Sequence, residues 1–359
     1  MKIYFLGDVH FGVHVNSLKW LDLHRRFFYD WLIPYIGETK GPDDVLVVLG
    51  DVFENKHFLN VNILNAAMKV FEDLSKVIPI HVIAGNHDIY YLHDNEVNSV
   101  DLLRRIGNDV NVYSKDPVVK DWGGGKFLML PWNSKPDSIE NTLSELSDDH
   151  YIVAHMDIQG MHYDNSRPIH TGIGKKPLRR FKRIYSGHIH WRQEDGNILY
   201  VGTPYQTERS DRGNDKGIYV LDMDTETETF VPNDASPKYV EYTSADVMNM
   251  SIEEIKVAFH NNMVDIKWDS VFARRFNFKR FVDCLTENGV DYEELTFPPH
   301  NAMVIEGGER DTSSDFEIDE MAENILTSRG YSKSEVTESM SYFEDLNMRL
   351  RDVEKTRIK

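Results

Sequence analysis

The segment KIYFLGDVH, residues 2–10, joins an apolar run to a glycine, an aspartate and a histidine. Near-continuous hydrophobic runs of this length are typical of strands that are buried on both faces of an α/β sheet. The same order, an apolar run that ends in Asp, Asn or His, recurs further along the chain. The later segments are VLVVLGD (45–51), IHVIAGNHD (80–88), YIVAH (151–155) and RIYSGHIH (183–190). We therefore predict buried strands that all end at the same edge of one sheet.

The polar residues at these strand ends are of the types that bind metal ions. Binding sites in α/β sheets gather at the carboxyl ends of the strands. Carboxylate, amide and imidazole ligands without thiolate favour Mn, Fe or Zn, and a carboxylate that can bridge indicates two ions about 3.5–4 Å apart. A single strand-end histidine is usually a surface or hydrogen-bonded residue, but no packing rule places polar ligands at five successive strand ends. We predict one shared metal site suited to phosphoryl chemistry.

In the order GDVH, GD, GNHD, His155 and GHIH, the motifs resemble those of the calcineurin-like metallophosphoesterases. More narrowly, the sequence is similar to the SbcD-type nuclease subunit of recombination and repair complexes, in the short form carried by tailed bacteriophages. The stretch ILYVGTPYQTERSDRGNDKGIYVLDMD, residues 198–224, resembles a strand, a Gly-Ser/Thr-Pro turn and a second strand of that family. The resemblance covers about residues 1–235, and it implies a four-layer α/β/β/α sandwich.

Carried over onto the matching positions, the resemblance implies two metal ions bridged by Asp51. His87 would face the scissile phosphate and stabilise the transition state or protonate the leaving oxygen, and Asp88 would orient His87. Mn²⁺ is the expected metal, with Mg²⁺ as the alternative, because two imidazoles on one ion favour Mn²⁺. The implied ligands are Asp8, His10, Asp51 and His190 for one ion, and Asp51, Asn86, His155 and His188 for the other.

One position departs from the family pattern. Many cellular members carry a second catalytic histidine three residues after the bridging aspartate, whereas this chain has Glu54 there. His57 lies three residues further on and is the other candidate for that role. A solvated loop histidine is the simpler interpretation of His57.

Composition is typical of a soluble protein of the cytoplasm of a bacterial or phage-infected cell. The 359 residues are 41% hydrophobic, which is enough for one large domain and a smaller one. The single cysteine, Cys284, excludes an internal disulfide. No run approaches the ~18 apolar residues of a membrane span, and Asp8 comes too early for a signal peptide. We expect no membrane partner.

A net charge of −19 argues against DNA binding unless the basic residues are clustered. Residues 165–184, which we call the basic segment, contain seven Lys or Arg and no acidic residue. One hypothesis is that Lys175, Lys176, Arg179 and Arg180 guide the DNA backbone to the metals. The structural alternative is a solvated surface with Leu178 and Phe181 packed inward.

Hydrophobic periodicity predicts a helix over residues 17–33 that ends at Pro34, and a second helix near residues 62–76. The segment VVKDWGGGKFLML, residues 118–130, predicts a β-hairpin. Family members are dimers through early helices. The apolar face of Phe28, Leu32 and Tyr35 is therefore a candidate homodimer contact.

The sequence divides into a metallophosphoesterase domain at 1–235, a small α+β capping domain at 236–300, an acidic linker at 301–324 and a helical segment at 325–359. The last segment has an amphipathic stripe, and an acidic linker precedes it. Such a stripe either folds back onto the core or docks onto another surface, and we favour docking because of the linker. The resemblance implies that this segment binds the coiled coil of an SbcC-type ATPase, which gives a heterotetramer. No GxxxxGK[ST] loop occurs, so any ATP dependence would come from another chain.

The predicted function is a Mn²⁺-dependent DNA nuclease subunit of an SbcCD-like complex that hydrolyses phosphodiester bonds by a two-metal mechanism. One alternative is a phosphomonoesterase or cyclic-nucleotide phosphodiesterase on the same fold, which shares every metal motif. Another is a metal-free scaffold. The presence of all ligand types and of His87 argues against the scaffold.

Overall fold

The computed structural model of the protein describes residues 1–91, 93–107, 109–267 and 278–297. The predicted acidic linker and the predicted helical segment for partner binding lie outside the described residues. Among the described residues, no helix is both long and apolar enough to cross a membrane.

Most of the described strands form two six-stranded sheets. The first has the order β14-β13-β1-β2-β3-β6 and the second the order β11-β12-β10-β9-β8-β7. In the first sheet β1, β2, β3 and β6 are parallel, and the antiparallel pair β13 and β14 lies at one end of the sheet. In the second sheet β12, β10, β9 and β8 are parallel, and β11 and β7 are antiparallel strands at the two opposite edges. The strands are β1 Lys2–Leu6, β2 Val45–Val48, β3 Ile80–Ile83, β4 Ile89–Tyr91, β5 Asp94–Asn98, β6 Val110–Tyr113, β7 Val118–Trp122, β8 Gly125–Leu130, β9 His150–His155, β10 Arg183–Gly187, β11 Gln193–Asp195, β12 Ile198–Tyr200, β13 Gly217–Asp222, β14 Thr227–Pro232, β15 Tyr239–Thr243, β16 Met263–Lys267 and β17 Glu294–Thr296.

The strands that carry the metal motifs are divided between the two sheets. β1, β2 and β3 are parallel neighbours in the first sheet, whereas β9 and β10 are parallel neighbours in the second. The prediction that all five end at one edge of one sheet is therefore wrong. The two sheets pack face to face, with Phe5 stacked on Tyr185 at a centroid distance of 3.9 Å. Motif residues from both sheets meet because of this packing.

Three apolar clusters lie between the two large sheets and on their outer faces. One lies between them and contains Phe5, Val47, Val153 and Tyr185. Another lies on the other face of the first sheet, against helices. The third covers the other face of the second sheet. The predicted mixed α/β fold with parallel-rich sheets is confirmed, as is the hairpin at β7 and β8.

The first helical region continues past Pro34, contrary to the prediction. A π-helical segment, Phe27–Leu32, connects two α-helices, and the backbone N–H of Ile33 donates to the Phe28 carbonyl. Pro34 is tolerated because it lies in the first turn of the next helix, where its missing N–H is not needed. The α-helices are α1 Val13–Asn16, α2 Leu18–Arg26, α3 Ile33–Thr39, α4 Val61–Ser75, α5 Pro136–Ser144, α6 Lys175–Leu178, α7 Ser244–Asn249, α8 Ile252–Phe259 and α9 Phe278–Glu287, with 3₁₀ turns at Val100–Arg105 and Arg209–Asp211.

The apolar face that was predicted to be a dimer contact is part of the hydrophobic core. Phe28 and Leu32 are fully buried in the cluster between the early helices and the first sheet, and Tyr35 packs against the same cluster. The physical reason is that this face of the helices lies against the apolar cluster on the first sheet, so the apolar side chains are covered within one chain. A homodimer would therefore use another surface.

A smaller parallel sheet, β15-β16-β17, follows the two large ones and packs with α7, α8 and α9 around its own apolar cluster. Its buried Asp265 accepts hydrogen bonds from Arg209 at 2.8 Å and from Arg212 at 2.6 Å. β15 and β16 are parallel neighbours in this sheet, with Tyr239 opposite Met263. The boundaries of the proposed capping domain stay a prediction.

Candidate metal centre

The loops after β1 and β2 are joined by backbone hydrogen bonds. The N–H groups of Val9 and His10 donate to the Asp51 carbonyl at 3.2 and 2.9 Å. Asp8, His10 and Asp51 are about 99% or more buried. His10, Asp51 and His188 have φ values of 54°, 48° and 83°, a region that costs about 1–3 kcal/mol for a residue with a side chain. The fold stores this strain where the motif side chains converge.

Two of the motif glycines are needed for close approach of side chains. A Cβ at Gly85 would lie 2.1 Å from Oδ1 of Asp51, and one at Gly187 would lie 2.4 Å from Oδ1 of Asp8. Any larger residue would displace the carboxylates. These glycines therefore let carboxylates from one motif lie directly against the backbone of another.

The first cluster of ligand atoms contains Asp8, His10 and His190. The Nε2 atoms of His10 and His190 face each other at 2.9 Å, although the rings come from different sheets. His10 Nε2 lies 3.8 Å from Oδ2 of Asp51. Asp51 therefore borders this cluster.

The second cluster contains Asp51, His155 and His188, together with Asn86. Oδ1 of Asn86 lies 2.9 Å from His155 Nε2 and 2.7 Å from His188 Nδ1. Oδ2 of Asp51 lies 3.3 Å from His155 Nε2. The same carboxylate thus borders both clusters, as a bridging ligand would.

The seven predicted ligands fit a pair of divalent cations. Their facing atoms are imidazole nitrogens, carboxylate oxygens and one amide oxygen, a set typical of Mn²⁺, Fe²⁺ or Zn²⁺ sites. Imidazole nitrogens that point at one another are poor partners unless a proton or a cation lies between them. The ligand roles stay proposals, but all seven residues come together.

A family model described as calcineurin-like phosphoesterase matches residues 1–192, which is more than half of the chain. The chain belongs to the calcineurin-like phosphoesterase family. The resemblance recognised in the sequence is thereby confirmed.

This phosphoesterase is also similar to viral proteins. It is 27% identical over 308 residues to exonuclease subunit 1 of Enterobacteria phage T4, which covers 82% of this chain and 87% of the relative. It is 24% identical to the putative phosphoesterase 244L of Invertebrate iridescent virus 6, over 61% of this chain and 75% of that protein. A solved protein of unknown function from Aquifex aeolicus shares 19% identity over 50% of this chain and 93% of its own, with a TM-score of 0.26. That score is too low to bear on the fold.

Each of the four candidate ligand histidines of the phosphoesterase also has an oxygen near its second ring nitrogen. Such outer contacts select which nitrogen faces a metal and orient the ring. Sequence reasoning missed Asp157 and Thr207, although Asp157 stands only two positions after His155 and Thr207 lies in the quoted TPYQTER stretch. The contacts are His10 Nδ1 to Glu54 Oε2 at 2.7 Å, His155 Nδ1 to the Leu49 carbonyl at 2.7 Å, His188 Nε2 to Asp157 Oδ1 at 3.0 Å and His190 Nδ1 to Thr207 Oγ1 at 3.5 Å.

His87 and Asp88 have different surroundings from those expected. The His87 backbone N–H donates to Asp51 Oδ1 at 2.8 Å, and its ring Nδ1 lies 2.7 Å from the Glu54 carbonyl. The Asp88 carboxylate instead accepts backbone N–H groups of Gly85 at 2.9 Å and Val52 at 3.1 Å. Asp88 therefore holds the turn that carries Asp51, and the Glu54 carbonyl orients the His87 ring. Burial, and then the charge of Asp51, raise the pKa of Asp88 to about 7.

The carboxylates give the centre a negative field. Burial alone would lower the pKa of His10, but Glu54, Asp51 and Asp8 outweigh it and raise that pKa to about 9. His155 behaves in the same way, and its pKa also rises to about 9. Burial would raise the pKa of Asp51, yet the neighbouring histidines, His155 first, hold it well below its usual range. A divalent cation would meet the same field.

The basic segment is held by acidic residues of the same chain. Leu178 and Phe181 are buried, as the structural alternative predicts, and Lys176 is exposed. The ion pairs are Lys175–Asp195 at 2.6 Å, Arg179–Asp195 at 2.6 Å, Arg180–Asp148 and Arg183–Glu228 at 2.5 Å. These contacts support the structural alternative. DNA contact by Lys175, Lys176, Arg179 and Arg180 stays a prediction.

Proposed function

We propose that this phosphoesterase is a Mn²⁺-dependent DNA nuclease, with Mg²⁺ as the alternative metal. The observation that carries the proposal is the convergence of seven candidate ligand side chains on two clusters that Asp51 borders, with His87 beside them. Similarity to a phage exonuclease subunit over most of both chains supports DNA as the substrate.

Divalent ions bound in the two clusters would supply Lewis acidity to the phosphodiester and lower the pKa of a water nucleophile. The chain itself supplies the proton donor. Nδ1 of His87 donates to a carbonyl, which only accepts hydrogen bonds. Nε2 of the imidazolium form, in which both nitrogens carry a hydrogen, is therefore the atom that can give a proton to the leaving oxygen, and the ring returns to the neutral imidazole. Asp88 keeps the turn of Asp51 in place through its bonds to Gly85 and Val52.

We further propose that the protein acts in the cytoplasm of a bacterial or phage-infected cell as a homodimer joined to an SbcC-type ATPase. The phage T4 relative is named as a subunit, which supports a multi-chain assembly. Residues 325–359 are the proposed ATPase contact. Their deletion should abolish ATPase binding and leave metal-dependent cleavage intact, and retained binding in a pull-down assay would reject this contact.

The first test is Mn²⁺-dependent degradation of end-labelled linear duplex DNA, with wild type beside His87→Ala. Bis-p-nitrophenyl phosphate serves as a small control substrate. We expect wild type to degrade DNA and the variant to lose on the order of 10²–10⁴-fold in rate. Hydrolysis of the small ester alone would favour the small-substrate phosphodiesterase alternative.

A further inference from the structure

We propose that Glu54 is a positioning residue that orients the imidazole rings of His10 and His87. In this role it does not act as an acid in place of the second histidine of cellular relatives. Its carboxylate holds His10 and its backbone carbonyl holds His87. The inference rests on the proposed metal-dependent function. It assigns Glu54 to metal retention and separates it from proton transfer.

The backbone fixes Glu54 between the two motif loops. Its N–H donates to the Phe11 carbonyl at 3.0 Å, and the Phe11 N–H donates to the Val52 carbonyl at 2.8 Å. A parallel β-bridge joins Phe11 to Phe53, and both rings are about 99% or more buried. Backbone hydrogen bonds thus join the loop that follows Asp51 to the loop that follows His10. The backbone position of Glu54 is consequently fixed beside both motif loops.

The side chain of Glu54 is directed at His10. Oε2 lies 2.7 Å from Nδ1 of His10, on the side of the ring opposite His190. This contact is a close ion pair and not an aligned hydrogen bond, and the negative charge beside Nδ1 favours a hydrogen on that nitrogen. The Nε2 lone pair then faces His190 and Asp51. Carboxylates in this position orient a ligand histidine and raise its basicity, and their loss typically weakens metal binding about 10–100-fold.

The main chain of Glu54 serves the second imidazole. Its carbonyl lies 2.7 Å from Nδ1 of His87, whose ring is 5.0 Å from that of His10. A side-chain substitution therefore removes the hold on His10 and keeps the hold on His87. His57, the other candidate for the missing histidine, is exposed and its ring contacts Tyr90 at 5.0 Å.

The test compares wild type, Glu54→Gln, Glu54→Ala and Glu54→Asp, with the exposed Glu72→Gln as a matched control. Mn²⁺ affinity is measured without substrate, by the loss of the free-ion signal in electron paramagnetic resonance. We expect Glu54→Gln and Glu54→Ala to bind Mn²⁺ about 10–100-fold more weakly, Glu54→Asp to recover part of the loss, and Glu72→Gln to match wild type.

The second readout is kcat at saturating Mn²⁺, with thermal unfolding as a check on folding. We expect kcat of Glu54→Gln to return to within a few-fold of wild type, because His87 keeps its carbonyl partner. Wild-type Mn²⁺ affinity in both Glu54→Gln and Glu54→Ala would overturn the proposal, and so would a kcat that stays low at saturating metal. A weakened affinity in a protein that cleaves no DNA would support the role of Glu54 and reject the nuclease function alone.

Discussion

The metal centre and the basic segment are both dense in ionisable side chains, but the chain treats them differently. In the candidate metal centre, the Nε2 atoms of His10 and His190 face each other at 2.9 Å. In the basic segment, Arg179 and Lys175 share the carboxylate of Asp195. Imidazole nitrogens that face each other are available to a ligand, whereas the charges of an ion pair are already matched within the fold. Sequence shows both as clusters of charge and does not separate them.

Among the substitutions that test this contrast, Asp51→Ala is expected to change the rate of hydrolysis the most. Asp51 borders both ligand clusters, so its loss should reduce Mn²⁺-dependent phosphodiester hydrolysis on the order of 10³-fold or more. The matched control is Asp195→Ala, which removes an equivalent carboxylate from the basic segment. Initial rates at saturating Mn²⁺ measure both variants. Comparable losses in the two would show that the contrast has no functional meaning.

A smaller effect is expected from Asp157→Asn. The Asp157 carboxylate contacts Nε2 of His188 at 3.0 Å, so the amide should weaken Mn²⁺ binding about 10–100-fold. Isothermal titration measures the affinity without substrate. Tyr163→Phe is the control, because the Tyr163 hydroxyl reaches the same carboxylate only at 3.4 Å. Equal affinity in wild type and Asp157→Asn would remove Asp157 from the metal centre.

The double variant Arg179→Glu/Arg180→Glu tests whether the basic segment binds DNA. Because both side chains already pair within the chain, DNA cleavage and its salt dependence should stay within about two-fold of wild type. The free energy of unfolding should fall by about 1 kcal/mol, since surface pairs contribute little each. Cleavage rates across a salt series and urea unfolding provide the measurements. A strong loss of cleavage with a shallower salt slope would restore the DNA-binding hypothesis.

The smallest effect concerns His81, a buried histidine of β3 outside the metal centre. Burial, and then Lys120, lower its pKa to about 4. Between about pH 6.5 and 4, His81 is protonated in the unfolded chain but neutral in the native state. The free energy of unfolding should therefore fall as pH decreases from about 6.5 toward 4. His81→Gln should make this slope shallower by up to about one proton, and the exposed His170→Gln should leave it unchanged. Urea unfolding at several pH values decides between these outcomes.

Much of the structure could be predicted from local hydrophobic patterns in the sequence. The apolar runs before Asp8, Asp51 and His155 are buried strands, because near-continuous hydrophobicity has few other meanings at that length. The helix near 62–76 was also predictable, from its apolar face. Strand ends then place the metal-motif residues, which is why all seven predicted ligands come together.

The rest depends on contacts between distant parts of the chain. Division of the strands into two sheets requires the pairing of β1 with β13, which no local pattern specifies. The π-helical segment before Pro34 is equally invisible, because it follows from tertiary packing. A sequence shows that Glu54 replaces a histidine but not that its carboxylate turns toward His10. The acids that neutralise the basic segment, such as Asp148, stand elsewhere in the chain.

The pairing of β1 with β13 also has a consequence for biosynthesis. The amino group of Met1 meets the carboxylate of Asp224, 223 positions later, so one edge of β1 is covered only after most of the chain has left the ribosome. At about 5–20 residues per second, translation leaves that edge open for roughly 10–45 s. Open strand edges recruit other chains. His188 and His190 are also made late in this interval, so the full set of candidate ligands is present only shortly before β13 can cover the edge of β1.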